Sequence, residues 1–246
     1  MSPEEQKLAL DLAYQPLDLG PITLPNRFIK AGANENMALR GLPTKALVKH
    51  HEELARGGVG LTTVAYLSVT RDGRTLPDQL WLSEEAVPAL RVVTEAVHAA
   101  GGKISAQITH GGSFVTGIFQ PRRLLSSMSG LNAAGLLRGN LFRRAMNEQD
   151  MDQMVGHFVA GAIKCMEAGF DAVEIHMGHG YLLNQFLSPM DNQRTDEYGG
   201  SAENRARFPV RVLREVKAAV GHRMAVLAKI NVADGRRSGA TVEDAI

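Results

Sequence analysis

Apolar residues along this chain alternate between two periods in a fixed order, short strand-like runs followed by longer amphipathic stretches that end in glycine. Phe28 to Gly32 reads as strand one and Thr44 to Arg56 as helix one, with Gly57 and Gly58 ending the helix. Leu61 to Leu67 is strand two, and Ser83 caps a helix from Glu84 to Ala100. Gly101 and Gly102 break that helix before strand three, Lys103 to Thr109. A long connection from His110 to Met146 follows. Asn147 then caps a helix running to about Ala168, and strand four begins after Gly169. Ser201 opens a fourth helix, Gly221 closes it, Ala225 to Val232 is strand five, and Thr241 looks like one more cap. Ahead of strand one, Tyr14 to Leu19 and Ile22 to Leu24 predict a hairpin capping the fold, within an extension over residues 1–26.

Repeated βα units of this kind predict an α/β fold with a parallel sheet. Their spacing of about 49 residues means that eight units need roughly 390, whereas the chain has 246. The expected fold is therefore a (β/α)8 TIM barrel truncated after strand five, with residues 1–246 as one domain. An open doubly wound sheet is the alternative, but KAGANENMALRG after strand one lacks the usual glycine-rich phosphate turn.

Composition narrows the partners. With 44% hydrophobic and 22% charged residues the chain can build a sizeable core, and 27 basic against 26 acidic residues leave no global field to attract nucleic acid or an anionic membrane. The single cysteine, Cys165, excludes an internal disulfide and an all-cysteine metal site. Charges in MSPEEQKLALDLAYQ do not suit a signal peptide, so a cytoplasmic protein is expected.

Chemistry concentrates where strand four stops. Ala172, Val173 and Ile175 give way to His176, His179 and Tyr181 in a glycine-rich turn, the strand end that faces the active site in an α/β barrel. Two imidazoles three apart can hold a metal ion or donate to a substrate oxygen, with Tyr181 as a proton source. A metal would want a third ligand, and Glu174 lies near. Gln107 and His110 in AQITHGG are expected at the same mouth, and Lys229 in LAKIN would add an inward positive charge. RTDEYGGSAENRARF suits ion pairs that lock the scaffold, and Arg138, Arg143 and Arg144 read as a solvated basic face, with contact to a dinucleotide or acyl carrier phosphate as the alternative.

Four blocks, LGPITLPNRFIKA, TTVAYLSVTRDGRT, AQITHGG and VEIHMGHGYLLNQFLSPMDNQRTDEYGGSAENRARF, together resemble the Old Yellow Enzyme family of FMN-dependent ene-reductases and NADH:flavin oxidoreductases. The resemblance runs from about Tyr14 to the end. It implies a barrel carrying FMN at the C-terminal ends of its strands, reduced by NADH or NADPH and reoxidised by a small activated alkene. It places Ala31, Ala33, Asn34 and Ala65 along the flavin ring, Gln107 at its pyrimidine edge and Lys229 beside N1 and O2. His176 and His179 become the clamp on the substrate oxygen, and Tyr181 the proton donor. Asn34 stands where the family commonly has Thr or Cys, and Lys229 where it more often has Arg. The family's phosphate loops follow strands seven and eight, so an inactive, truncated remnant is a competing expectation, as is a metal-dependent barrel lyase or hydrolase using the histidine pair. Self-association through open strand edges is left open.

Overall fold

The structure, a computed structural model, describes residues 2–115, 124–132 and 140–246. Helix α1 (Pro3–Ala13) precedes a hairpin of β1 (Leu17–Leu19) and β2 (Ile22–Leu24), and the short strand β3 (Ile29–Lys30) follows. A second hairpin, β4 (Ala38–Leu39) with β5 (Leu42–Pro43), leads into α2 (Lys45–Arg56). Next come β6 (Leu61–Ser68), α3 (Ala86–Ala99) and β7 (Ile104–Thr109). The long connection carries a small sheet of β8 (Leu124–Ser126), β9 (Gly130–Leu131) and β10 (Phe142–Ala145). The remainder is α4 (Glu148–Glu167), β11 (Ala172–Met177), α5 (Leu182–Leu187), α6 (Ala202–Val220), β12 (Ala225–Ile230) and α7 (Val242–Ala245).

Strands β3, β6, β7, β11 and β12 form one parallel sheet in sequential order, curled into a half-barrel. Sequential parallel neighbours follow from the βα repeat, because each crossover helix returns the chain one position along the sheet. Among the described residues β3 and β12 are the sheet's edges. Strand one is two residues rather than five, and strand five stops at Ile230, two short of Val232.

Val64, Leu67, Ala106, Ile108, Val173 and Ile175 point outward and pack with Leu90, Val93, Phe158, Phe208 and Val212 of the covering helices in one buried core. Alternation then turns the opposite parity inward. Ser105 and Gln107 on β7 stand in register with Ala172 and Glu174 on β11, and Leu227 and Lys229 on β12 with Glu174 and His176. Helix α4 starts at a capping box between Asn147 and Asp150. Ser83 Oγ accepts the Ala86 N–H at 3.1 Å, so α3 begins two residues later than Glu84. No helix among the described residues is long and apolar enough to cross a membrane.

Candidate functional site

The turn after β11 is shaped by its own polar groups. The Gly178 N–H donates to His176 Nδ1 at 3.2 Å, the His179 N–H to Asn231 Oδ1 at 3.1 Å and the Gly180 N–H to Asn184 Oδ1 at 2.7 Å. His179 adopts a left-handed conformation with φ of 59°, which its bonded neighbours must hold in place. Gly180, at φ 76°, runs so close to Phe114 that a Cβ there would sit 2.9 Å from the ring. The result gathers three predicted residues. The ring of His176 lies 4.9 Å from that of His179 and 5.1 Å from that of Tyr181, centre to centre, each pair edge-on.

Electrostatics fix the state of the pair. Burial pushes the His176 imidazole down to about 3, with His179 and Lys229 adding to the shift. His179 is lowered too, by burial and then by Lys229. Both rings are neutral at pH 7, and because His176 Nδ1 accepts from Gly178, its proton resides on Nε2. The site therefore presents a neutral N–H donor beside a phenol, under the field of an ammonium group.

Gln107 and Lys229 occupy the inner face nearby. Gln107 Nε2 donates to Glu174 Oε1 at 2.6 Å, and Lys229 Nζ to the Gly32 carbonyl at 2.9 Å, linking the last barrel strand described to the loop after the first. Gly32 passes so near the Gln107 amide that any Cβ would lie 2.5 Å from its nitrogen. Ala31, Ala33 and Asn34 are exposed on this loop, and Asn34 Oδ1 is turned back onto the Asn36 N–H at 3.0 Å. Ala65 is buried and its N–H goes to the Glu35 carboxylate.

Three residue groups depart from expectation. His110 does not join the mouth: its ring is fully buried under Gly73, and burial takes it down to about 4. Arg143 and Arg144 are not a solvated face, since Arg143 pairs with Asp191 at 2.8 Å and Arg144 with Asp150 at 2.7 Å; Arg138 lies outside the described residues. Glu174 is committed to Gln107, so it does not complete a metal triad with the histidines.

Sequence reasoning missed Asn231, the bond of Glu174 to Gln107 and a buried cluster around Glu35. Lys30 Nζ pairs with Glu35 and donates to the Thr63 carbonyl at 2.9 Å, while His51 Nδ1 meets Thr62 Oγ1 at 2.8 Å. Glu35, His50 and His51 are the one group of potential metal ligands found among the described residues. The Lys30 ammonium already matches the carboxylate charge there. The scaffold reading of RTDEYGGSAENRARF agrees with the geometry: Arg194 bonds Asp196 and the carbonyls of Ser127 and Met146, and Arg205 bonds Asp244 and the carbonyls of Leu187 and Gly200.

Comparison with known proteins decides the family. Residues 13–246 match the model of the NADH:flavin oxidoreductase / NADH oxidase family. The chain belongs to this family. It is 40% identical over 235 residues to a 4,4'-dithiodibutanoate disulfide reductase of Rhodococcus erythropolis, covering 95% of this chain and 57% of the relative. A probable flavin mononucleotide-dependent alkene reductase of Leishmania infantum is 34% identical over 227 residues, 87% of this chain and 62% of that one. The fold superposes on an old yellow enzyme homologue from Zymomonas mobilis with a TM-score of 0.83 at 26% identity, over 95% of this chain and 67% of the other. The chain thus spans about three fifths of the length of these curated relatives. Members of the family are enzymes that use FMN with NADH or NADPH.

The residues present suit that cofactor. An amide held by Glu174, an ammonium group and the loop carrying the exposed Ala31, Ala33 and Asn34 lie together, a set that suits a flat heterocycle with alternating donors and acceptors.

Proposed function

We propose that this chain provides the flavin and substrate face of an FMN-dependent NAD(P)H oxidoreductase acting on a small activated alkene of the enone or enoate type, within a (β/α)8 barrel. What carries the reading is the gathering of His176, His179 and Tyr181 on one rim, with Gln107 and Lys229 beside them. Bound FMN would supply hydride transfer from NAD(P)H to the acceptor.

Gln107, its Nε2 committed to Glu174, would offer Oε1 as an acceptor in holding the flavin. Lys229 would hold a positive charge beside the flavin and so favour its reduction. Ala31, Ala33, Asn34 and Ala65 would line the ring. His176 and His179 hold the acceptor's carbonyl oxygen through N–H donors, and those bonds strengthen as enolate charge develops. Tyr181 delivers its phenolic proton to the α-carbon.

A second reading has its own support in the Rhodococcus relative, whose name gives a disulfide as its substrate. In that case the hydride would go to one sulfur, and Tyr181 would protonate the departing thiolate.

The test is anaerobic. The purified chain is titrated with FMN, then with NADH and NADPH, and but-3-en-2-one and 4,4'-dithiodibutanoate are offered in turn. Uptake of FMN, bleaching by reductant and recovery of colour with the enone support the first reading; recovery with the disulfide alone favours the second. A folded chain that takes up no FMN overturns both readings.

A further inference from the structure

The register between β6 and β7 slips once. Thr63 pairs with Ser105 and Val64 with Ala106, but the next pair is Leu67 with Ile108, so β6 spends one extra residue at Ala65 and Tyr66. Leu67 takes the outward position in the core that regular alternation would give to Tyr66. The displaced Tyr66 instead lays its ring against Tyr181, centroids 5.8 Å apart and planes within 13°. Phe114 meets the ring of Tyr181 edge-on at 6.1 Å.

The bulge is anchored on both sides. Ala65 N–H donates to Glu35 Oε2 at 3.1 Å, Gln79 Nε2 donates to the Tyr66 carbonyl at 2.9 Å, and the Tyr66 hydroxyl lies 3.4 Å from Thr75 Oγ1. Inserting a ring between two stacked rings needs roughly 7 Å, twice a contact distance. Tyr66 and Tyr181 therefore form one wall.

We propose that Tyr66 is a specificity-determining residue of this site: it fills the flank of Tyr181 and excludes acceptors that carry a bulky substituent on the carbon Tyr181 protonates. This rests on the flavin reading above. The substituent on the α-carbon is the part of an alkene that must lie nearest Tyr181, so slim, linear acceptors pass and α-aryl ones do not.

The experiment compares but-3-en-2-one with 3-phenylbut-3-en-2-one as acceptors for FMN-loaded wild type, Tyr66→Ala and Tyr66→Phe. Tyr66→Ala raises kcat/KM for the phenyl compound relative to the parent at least tenfold, mainly through KM, whereas Tyr66→Phe, which keeps the ring, changes that ratio less than twofold. Where Tyr66→Ala does not fold, Tyr66→Leu must move the ratio in the same direction. A readout without turnover accompanies this: of the chain's four tyrosines, the 13Cζ resonance of Tyr181 shifts when Tyr66 is replaced by an aliphatic residue. An unchanged ratio in an active variant, or an unmoved Tyr181 resonance, overturns the assignment of Tyr66 alone. A wild-type chain that takes up no FMN overturns the flavin reading and this inference with it.

Discussion

Gln107 Nε2 donates to Glu174 Oε1 at 2.6 Å, and the two residues are direct partners in the register of β7 and β11. The bond fixes which end of the amide meets Glu174, since a carboxylate can only accept. Glu174→Ala frees the amide to rotate and lowers FMN affinity about tenfold, the order expected for one hydrogen bond to a charged group. Glu174→Gln, which keeps an acceptor, retains most of it. Quenching of FMN fluorescence on titration measures both, and equal affinity in Glu174→Ala and wild type contradicts the role.

Lys229 acts on the histidines through space. Burial is the main cause of the low His179 pKa and Lys229 the second, so Lys229→Met moves the His179 titration upward, toward the ordinary imidazole value. Histidine ring NMR across pH 4 to 8 follows it. A midpoint that stays put means that the ammonium group does not reach the imidazole.

Tyr181→Phe slows alkene reduction by two orders of magnitude or more, within the usual range for a lost general acid, and leaves reduction of the flavin by NAD(P)H nearly intact. Rapid-mixing measurements of the two half reactions separate these. Equal losses in both halves reject Tyr181 as the proton donor.

Acid should unfold this protein early. His51 and His176 are held down to about 3 and His110 to about 4, in each case chiefly by burial. Between those values and the unfolded value near 6.5 the unfolded chain binds more protons, so stability rises with pH through that window and is lost as pH falls. Each histidine contributes a slope of up to about 1.4 kcal/mol per pH unit. Urea midpoints measured from pH 7 to pH 5 should fall steadily, and a flat profile would show that these rings are solvated.

Asn231→Ala removes the acceptor for the His179 N–H in its left-handed turn. The expected cost is about 1 kcal/mol, or a Tm lower by roughly 2–4 °C for a chain of this size. A larger loss in oxidoreductase activity than in stability would show that the turn serves the clamp.

Much of the frame was legible because its signals are local. Asn147 followed by Asp150 marks α4, and paired glycines mark the ends of α2 and α3. Helix α1 carried the same signal in Ser2 and Glu5 and was overlooked because its apolar residues, Leu8, Leu10 and Leu12, stay exposed and show no buried stripe. Helix α5, at six residues, is too short for a period to register. His110 was misplaced by parity: three positions beyond inward-facing Gln107, it falls on the opposite side of the strand path. The β6 bulge left no trace, since all eight residues from Leu61 to Ser68 are buried and no alternation exists for it to interrupt. Lys30 and Glu35 meet across irregular backbone, where no spacing rule applies.

The guanidinium groups of Arg194 and Arg205 grip the segment following α5 from two directions, one reaching back to the carbonyls of Ser127 and Met146, the other to those of Leu187 and Gly200. Backbone tied down this way has little conformational freedom left to surrender when a guest molecule docks. That segment keeps a shape already in place and is not a loop that must first organise itself.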